Sequence, residues 1–159
     1  MSRLLGIDLG ERRIGIAVAD LAGIATPLAT IRRNPDPAID AAAIARLAAE
    51  QGATEIIVGL PYEASGREGA QAGLTRAWVD AVRPLLEAKV GYRDERLTSH
   101  LAEQRLGPMK RGRSGGPPGR TRRDAYRARV DREAAAIILQ DELDARAART
   151  ELVDTEAPE

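Results

Sequence analysis

Apolar positions alternate with small or polar ones from the start of the chain. Leu4 to Asp8 is a short apolar run, and Ile14, Ile16 and Val18 resume with period-two spacing after Gly10-Glu11-Arg12-Arg13. This predicts two strands of a hairpin joined by a polar turn. A third strand is expected from about Thr26 to Ile31. Asn34-Pro35-Asp36-Pro37 then ends it and opens a helix. Ile39, Ala43, Ile44, Leu47 and Ala48 share one face of that helix, and Gly52 closes it. Thr54-Glu55-Ile56-Ile57-Val58-Gly59 reads as a buried strand ending in the turn Gly59-Leu60-Pro61, followed by a mobile polar loop over Ser65 to Gly69. The next helix covers about Ala70 to Leu86, with Pro84 ending or kinking it. Val90 to Glu95 is the fifth strand. Thr98 is placed as the N-cap of a helix through Leu106.

Gly107 to Tyr126 breaks the pattern. Its centre, Ser114-Gly115-Gly116-Pro117-Pro118-Gly119, suits neither helix nor strand, so a flexible loop is expected. A last helix follows from about Val130 to Ala148, with Ala134, Ala135, Ile138 and Leu139 turned to the core. The acidic end, residues 151–159, is expected to be disordered. The order β-β-β-α-β-α-β-α-loop-α gives an α/β fold. Its mixed five-stranded sheet has three antiparallel strands, then two α-linked parallel ones, and helices flank it in one domain over residues 1–150.

Composition narrows the chemistry. The chain has 159 residues, no Cys, no Phe, one Trp and one His. Thiolate sites and disulfides are excluded, and a metal would need oxygen ligands. No apolar run reaches the roughly 20 residues needed to cross a bilayer, and Asp8 interrupts the first apolar stretch too early for a signal peptide. A cytoplasmic protein without a membrane partner is expected. Net charge is zero, yet Arg105 to Arg132 holds ten basic residues against Asp124 and Asp131, so +8 is balanced by −8 elsewhere. Such a segment on an acidic body is the pattern of a polyanion site.

Three carboxylates stand out. Asp8 interrupts an apolar strand, where burial is costly unless the charge is paired or metal-bound. A solvent-facing edge position would also explain it. Glu95 ends the fifth strand, at the end where ligands of α/β folds often sit, although on this segment alone a surface ion pair with Arg96 is the better explanation. Asp131 stands at the start of the last expected helix, where the helix dipole alone favours an acid. Together, from separate elements, they could converge on Mg²⁺ or Mn²⁺ and support phosphoryl displacement.

The chain resembles the YqgF/RuvX family, distant relatives of the RuvC Holliday-junction resolvases. The resemblance runs from Leu4 to about Leu143. It rests on Gly6-Ile7-Asp8-Leu9-Gly10 with Ile14-Gly15-Ile16-Ala17-Val18, then Ile56-Ile57-Val58-Gly59-Leu60-Pro61, Asp94-Glu95-Arg96-Leu97-Thr98-Ser99 and Val130-Asp131-Arg132-Glu133-Ala134-Ala135. It implies an RNase H-like fold, with Asp8, Glu95 and Asp131 as catalytic metal ligands for Mg²⁺ or Mn²⁺. It also implies trimming of the 5′ end of pre-16S rRNA, with the pre-30S particle as a partner, or resolution of branched DNA. Two positions depart from the family pattern. Tyr62-Glu63-Ala64-Ser65-Gly66 replaces a loop that usually carries Asn and Asp, and Arg129 stands where Lys is usual.

Backbone recognition by Lys110, Arg111, Arg113, Arg120, Arg122, Arg123 and Arg129 fits a nuclease of structured nucleic acid, and Tyr126 could stack on an unpaired base. His100 is expected on the surface and Trp78 in the core. Two other classes compete. The first hairpin also resembles the phosphate-binding start of actin-like and sugar-kinase ATPases, which need a second such domain. A non-catalytic rRNA-binding assembly factor is the third reading. A resolvase would be expected to act as a homodimer, whereas an rRNA-trimming enzyme could be a monomer.

Overall fold

The computed structural model describes residues 3–95, 98–111 and 115–156. Its elements are strands β1 (Arg3–Leu9), β2 (Arg13–Ala19) and β3 (Ala25–Arg32), helix α1 (Pro37–Gln51), strand β4 (Ala53–Pro61), helix α2 (Ala70–Val82), strand β5 (Lys89–Glu95) and helices α3 (Thr98–Leu106) and α4 (Arg120–Glu156). The five strands form one sheet in the order β3-β2-β1-β4-β5. β1 pairs antiparallel with β2 and parallel with β4, β2–β3 is antiparallel, and β4–β5 is parallel. This is the expected mixed five-stranded sheet.

Strand alternation splits the sheet into two unlike faces. Leu5, Ile7, Leu9, Ile14, Ile16, Val18, Ile56 and Val58 point to one side, where α1 and α2 cover them with Ile44, Trp78, Val79 and Val82. Within this layer the Trp78 indole donates to Asp40 Oδ2 at 3.1 Å, and the Asn34 amide donates to Oδ1 of the same buried carboxylate at 2.9 Å. α1 has both expected ends, with Asp36 capping its first turn and Gly52 closing it in the left-handed conformation. α2 stops at Val82, and Pro84 falls in a short 3₁₀ turn, Arg83–Leu85.

The opposite face carries Gly6 and Asp8 of β1, Gly15 and Ala17 of β2, and Ile57 and Gly59 of β4. α4 lies across it, packing Ala135, Ala136, Ile138 and Leu139 against Ala17, Ala19 and Ile57. Three glycines set the depth of this contact. A Cβ on Gly6 would stand 2.7 Å from both the Ala135 carbonyl oxygen and Leu139 Cβ. On Gly15 it would overlap the Asp131 carbonyl, and on Gly59 it would overlap Ile138 Cδ1. Arg146 pins α4 farther along, bridging Glu55 of β4 and Glu142 on the helix itself. That hydrogen bond holds the Glu55 carboxyl below its ordinary range.

Three expectations need correction. α4 is longer than predicted at both ends, with 37 residues, and starts ten positions before Val130. From Arg120 to Ala157 the chain has no Gly or Pro to interrupt a helix, and the first turns are held locally. Tyr126 OH donates to the Gly107 carbonyl at 2.9 Å, and Thr30 Oγ1 donates to the Ala128 carbonyl at 2.6 Å. Among the described residues of this segment, 107–111 and 115–119 lie outside helix and strand. The acidic end is helical through Glu156 rather than disordered, since its residues continue the same uninterrupted helix. The polar loop after β4 is a tight turn, because Tyr62 bridges Glu68, the Glu63 amide donates to the Arg67 carbonyl at 2.9 Å, and Gly66 takes a φ of 86°. No helix among the described residues is long and apolar enough to cross a membrane.

The contact between α4 and the sheet is testable. Gly15→Ala forces a methyl into the backbone at Asp131 and is expected to cost about 1–3 kcal/mol or more in urea unfolding. Gly73→Ala, in the interior of α2 with open space around it, is expected to gain about 0.5–1 kcal/mol. Equal effects at the two positions would contradict the close approach of α4.

Candidate active site

The side chains of Asp8 and Glu95 follow from strand parity. Asp8 lies two residues beyond Gly6 and directly opposite Gly15 in the β1–β2 register, so it faces α4. Glu95 stands at the end of β5, two residues beyond Arg93, and pairs with Pro61 across β4. The Tyr62 amide donates to the Glu95 carbonyl at 3.0 Å, tying the two strand ends together. β4 separates the two carboxylate-bearing strands, putting their backbones about 10 Å apart. Gly59 in that intervening strand cedes its side-chain space to Ile138, and both residues line the cleft between the acids. Asp131 descends from α4, where its own carbonyl rests over Gly15. It lies eleven residues inside the helix, beyond the reach of a first-turn dipole, so that explanation for an acid here no longer applies.

All three line one cleft of about 310 Å³, with Gly10, Gly59, Tyr62, Gln71, Thr98 and Ser99 among its other walls. Their electrostatics are strained in the same direction. Burial, reinforced by the neighbouring Asp131 charge, pushes the Asp8 carboxyl up to about 7. Burial and then the Asp141 carboxyl push Glu95 up to about 8, against the opposing pull of the Thr98 hydroxyl and Arg93. Asp131 is also raised by burial, although Arg13 works against this. Arg13 Nε donates to Asp131 Oδ2 at 2.7 Å. Thr98 Oγ1 donates to Glu95 Oε2 at 3.2 Å, while Glu95 Oε1 is buried without a hydrogen-bond partner and Arg93 Nε stands 3.8 Å from it.

As they stand, no three acidic side chains among the described residues are close enough to hold one ion. The donor set nevertheless suits a hard divalent cation. It offers only oxygen, two of its carboxyls are raised by burial and like charge, and one buried carboxylate oxygen is unsatisfied. A cation between Asp8, Glu95 and Asp131 would relieve all three conditions.

The predicted basic residues divide between two sides of α4. Arg120 and Arg123 line a polar cleft with Arg12, Arg13 and Arg127, next to the acids. Lys110, Arg122 and Arg129 line another hollow with Met109 and Tyr126. Arg111 lends its carbonyl to Arg122 at 2.6 Å. Arg113, like Arg96, lies outside the described residues. Tyr126 is half-buried and tied to Gly107, so it anchors the loop instead of presenting a free ring for stacking. His100 is exposed, with Nε2 3.2 Å from Gln104 Nε2.

Sequence reading missed Arg13, Arg12, Arg127 and Asp141. Arg12 and Arg13 stand in the β1–β2 turn segment and look like ordinary turn residues. Asp141 is ten positions past Asp131, and only the slant of α4 across the sheet brings it to Glu95.

The raised Asp8 carboxyl has a stability consequence. The folded protein keeps the proton to about pH 7, whereas the unfolded chain releases it near 3.8. The stability contribution of Asp8 therefore falls as pH rises through that window. In chelator, Asp8→Asn is expected to melt higher than the parent at pH 8, by on the order of 5 °C, and the gap should close towards pH 4. A gap independent of pH in thermal melts would contradict the burial of an uncompensated charge.

Among solved structures, a T. thermophilus RuvC in complex with a Holliday junction substrate is similar over 91% of this chain and 96% of that one, at 17% identity and a TM-score of 0.49. A protein of Chloroflexus aggregans described as "Putative pre-16S rRNA nuclease" is 45% identical over 90% of this chain and 94% of its own length. One of Anaeromyxobacter dehalogenans with the same description is 44% identical over 91% and 98%. The family model described as "RuvX: Holliday junction resolvase" matches residues 2–145. On that match and these relatives, the chain belongs to the RuvX family.

Proposed function

We propose that this chain is a nuclease that hydrolyses phosphodiester bonds of structured nucleic acid with Mg²⁺ or Mn²⁺, and that its reaction is maturation of the 5′ end of pre-16S rRNA on the pre-30S particle. The observation that carries the reading is the shared cleft of Asp8, Glu95 and Asp131, three recessed carboxylates from three elements with pKa values raised in a way that favours a bound cation. The description shared by the relatives supports the choice of RNA.

When bound, the divalent metal would activate water and stabilise the charge that develops on the phosphoryl group. The chain's own residues supply the rest. Asp8 on the central strand β1 and Asp131 on α4 form the close pair of like charges that draws the cation in. Glu95 closes the other side of the cleft, oriented by the Thr98 hydroxyl. Arg13 holds Asp131 in place and opposes the rise that burial imposes on its carboxyl. Arg120, Arg123 and Arg127, on the side of α4 next to the acids, neutralise substrate phosphates, giving an affinity that weakens with salt. Branched DNA is the second reading, favoured by the family's own description.

The test incubates purified protein with Mg²⁺ or Mn²⁺ and, separately, a 5′-extended 16S precursor and a four-way DNA junction. Cleavage of the precursor is expected to leave a 5′-phosphate. Asp8→Asn is expected to slow it more than about 100-fold, beyond the loss typical of groups that only orient a metal's ligands. Symmetric nicking of the junction alone would replace the RNA reading with a resolvase. Binding without cleavage of either substrate would replace it with a non-catalytic assembly factor.

A further inference from the structure

The cleft beside the acids has a composition that the carboxylate site does not explain. It measures about 530 Å³ and is lined by Arg12, Arg13, Arg120, Arg123 and Arg127, with Glu11 and Asp124 as the opposing charges. Arg12, Arg120, Arg123 and Arg127 are exposed. Among the described residues, Arg12, Arg120 and Arg127 make no ion pair, and Arg123 Nη1 donates only to the Pro118 carbonyl, at 3.1 Å. Five guanidinium groups facing one another across a cleft repel. They gain most from a ligand offering several anionic oxygens in forked geometry, which phosphodiester groups provide.

The floor of the cleft is rigid. The β1–β2 turn is closed by the Gly10 amide on the Arg13 carbonyl at 2.9 Å. The Arg33 amide holds the Arg12 carbonyl at 2.9 Å, and Arg33 Nη1 holds the Gly10 carbonyl at 3.1 Å. The wall is α4, on which residues 120, 123, 127 and 131 recur at intervals of three and four and therefore share one side. The row ends at Asp131 of the acid cleft, whose partner Arg13 lines the basic one, so this hydrogen bond joins the two clefts. From residue 120 to residue 131 the helix rises about 16 Å.

We propose that this cleft is a phosphate track holding the backbone of one nucleic-acid strand over several consecutive phosphates on one side of the acid site. The inference rests on the nucleic-acid reading above and deepens it. The segment is not a diffuse cationic field; one of its two sides carries the strand that enters the acid cleft. Lys110, Arg122 and Arg129, on the other side of the same helix, point away from that path.

The two sides are separated by binding measured without cleavage. In the Asp8→Asn background, a fluorescein-labelled RNA hairpin with a 5′ single-stranded extension is titrated by anisotropy between about 50 and 200 mM KCl. The combined Arg120→Gln, Arg123→Gln and Arg127→Gln variant is expected to reduce the slope of log affinity against log salt by about 2 to 3, and to weaken binding at least about tenfold. The combined Lys110→Gln, Arg122→Gln and Arg129→Gln variant is expected to change the slope by less than about 1. Circular dichroism checks that α4 persists. If it frays, a scan of neutral methylphosphonate substitutions along the RNA, read with the Asp8→Asn protein alone, replaces the variants and should show one contiguous run of sensitive phosphates. Equal losses from the two variants, or sensitivity scattered along the RNA, would overturn the track. An absence of cleavage by the parent protein would count against the nuclease reading while leaving this binding result legible.

Discussion

The close approach of α4 to the sheet is the constraint on which the other features depend. Gly6, Gly15 and Gly59 stand on three adjacent strands, and each gives up its side chain where a helix atom already occupies the space. With any Cβ at Gly15 the helix would have to lift, and Asp131 would lift with it. The same glycines leave the face nearly free of apolar bulk, so the helix meets it with Ala135, Ala136 and Leu139. The other face is built in the usual way, from branched strand residues under α1 and α2. One side of the sheet is therefore a thick apolar layer that supplies stability. The other is a thin contact that supplies position.

That thinness accounts for the electrostatics of the site. A helix seated directly on backbone leaves little solvent between its own carboxylates and those of the strands beneath. Asp8 is raised by burial first and by Asp131 second, and Glu95 by burial first and by Asp141 second. The fold tolerates these recessed acids because cations stand at their edges. Arg13 is bonded to Asp131, Arg93 lies beside Glu95 and Glu142, and Arg146 ties Glu142 to Glu55. Negative charge is thereby concentrated in one cleft, the donor set that the proposed divalent cation would require. Arg120, Arg123 and Arg127 stand exposed in the cleft beside it.

Much of the architecture was legible in the residue pattern. Period-two spacing placed the first hairpin, a continuous apolar run placed β4, β3 and β5 were read as short segments between turn and helix signals, and the Pro and Gly punctuation placed α1 and the end of α2. The motifs around Asp8, Glu95 and Asp131 carried the family resemblance, to which the matched model and the relatives agree. The errors fell where local composition was read without its tertiary partners. Residues 120–129 looked like a continuation of the Gly/Pro loop, yet hydrogen bonds from Thr30 and Tyr126 help seat them as helix. Tyr126 read as a free aromatic among arginines, but its hydroxyl is committed to Gly107.

The sequence by itself determined which residues alternate, where the chain turns, and that only oxygen ligands are available, since these depend on side-chain chemistry and short-range backbone preference. Only the tertiary structure decided that Asp131 sits deep within a long helix, that Arg13 is its partner across 118 positions, and that the basic segment divides between two sides of α4. Those facts depend on how far a helix can descend onto a sheet and on the angle at which it crosses. Both follow from the absence of side chains on three separate strands, which acquires meaning only when those strands are laid side by side.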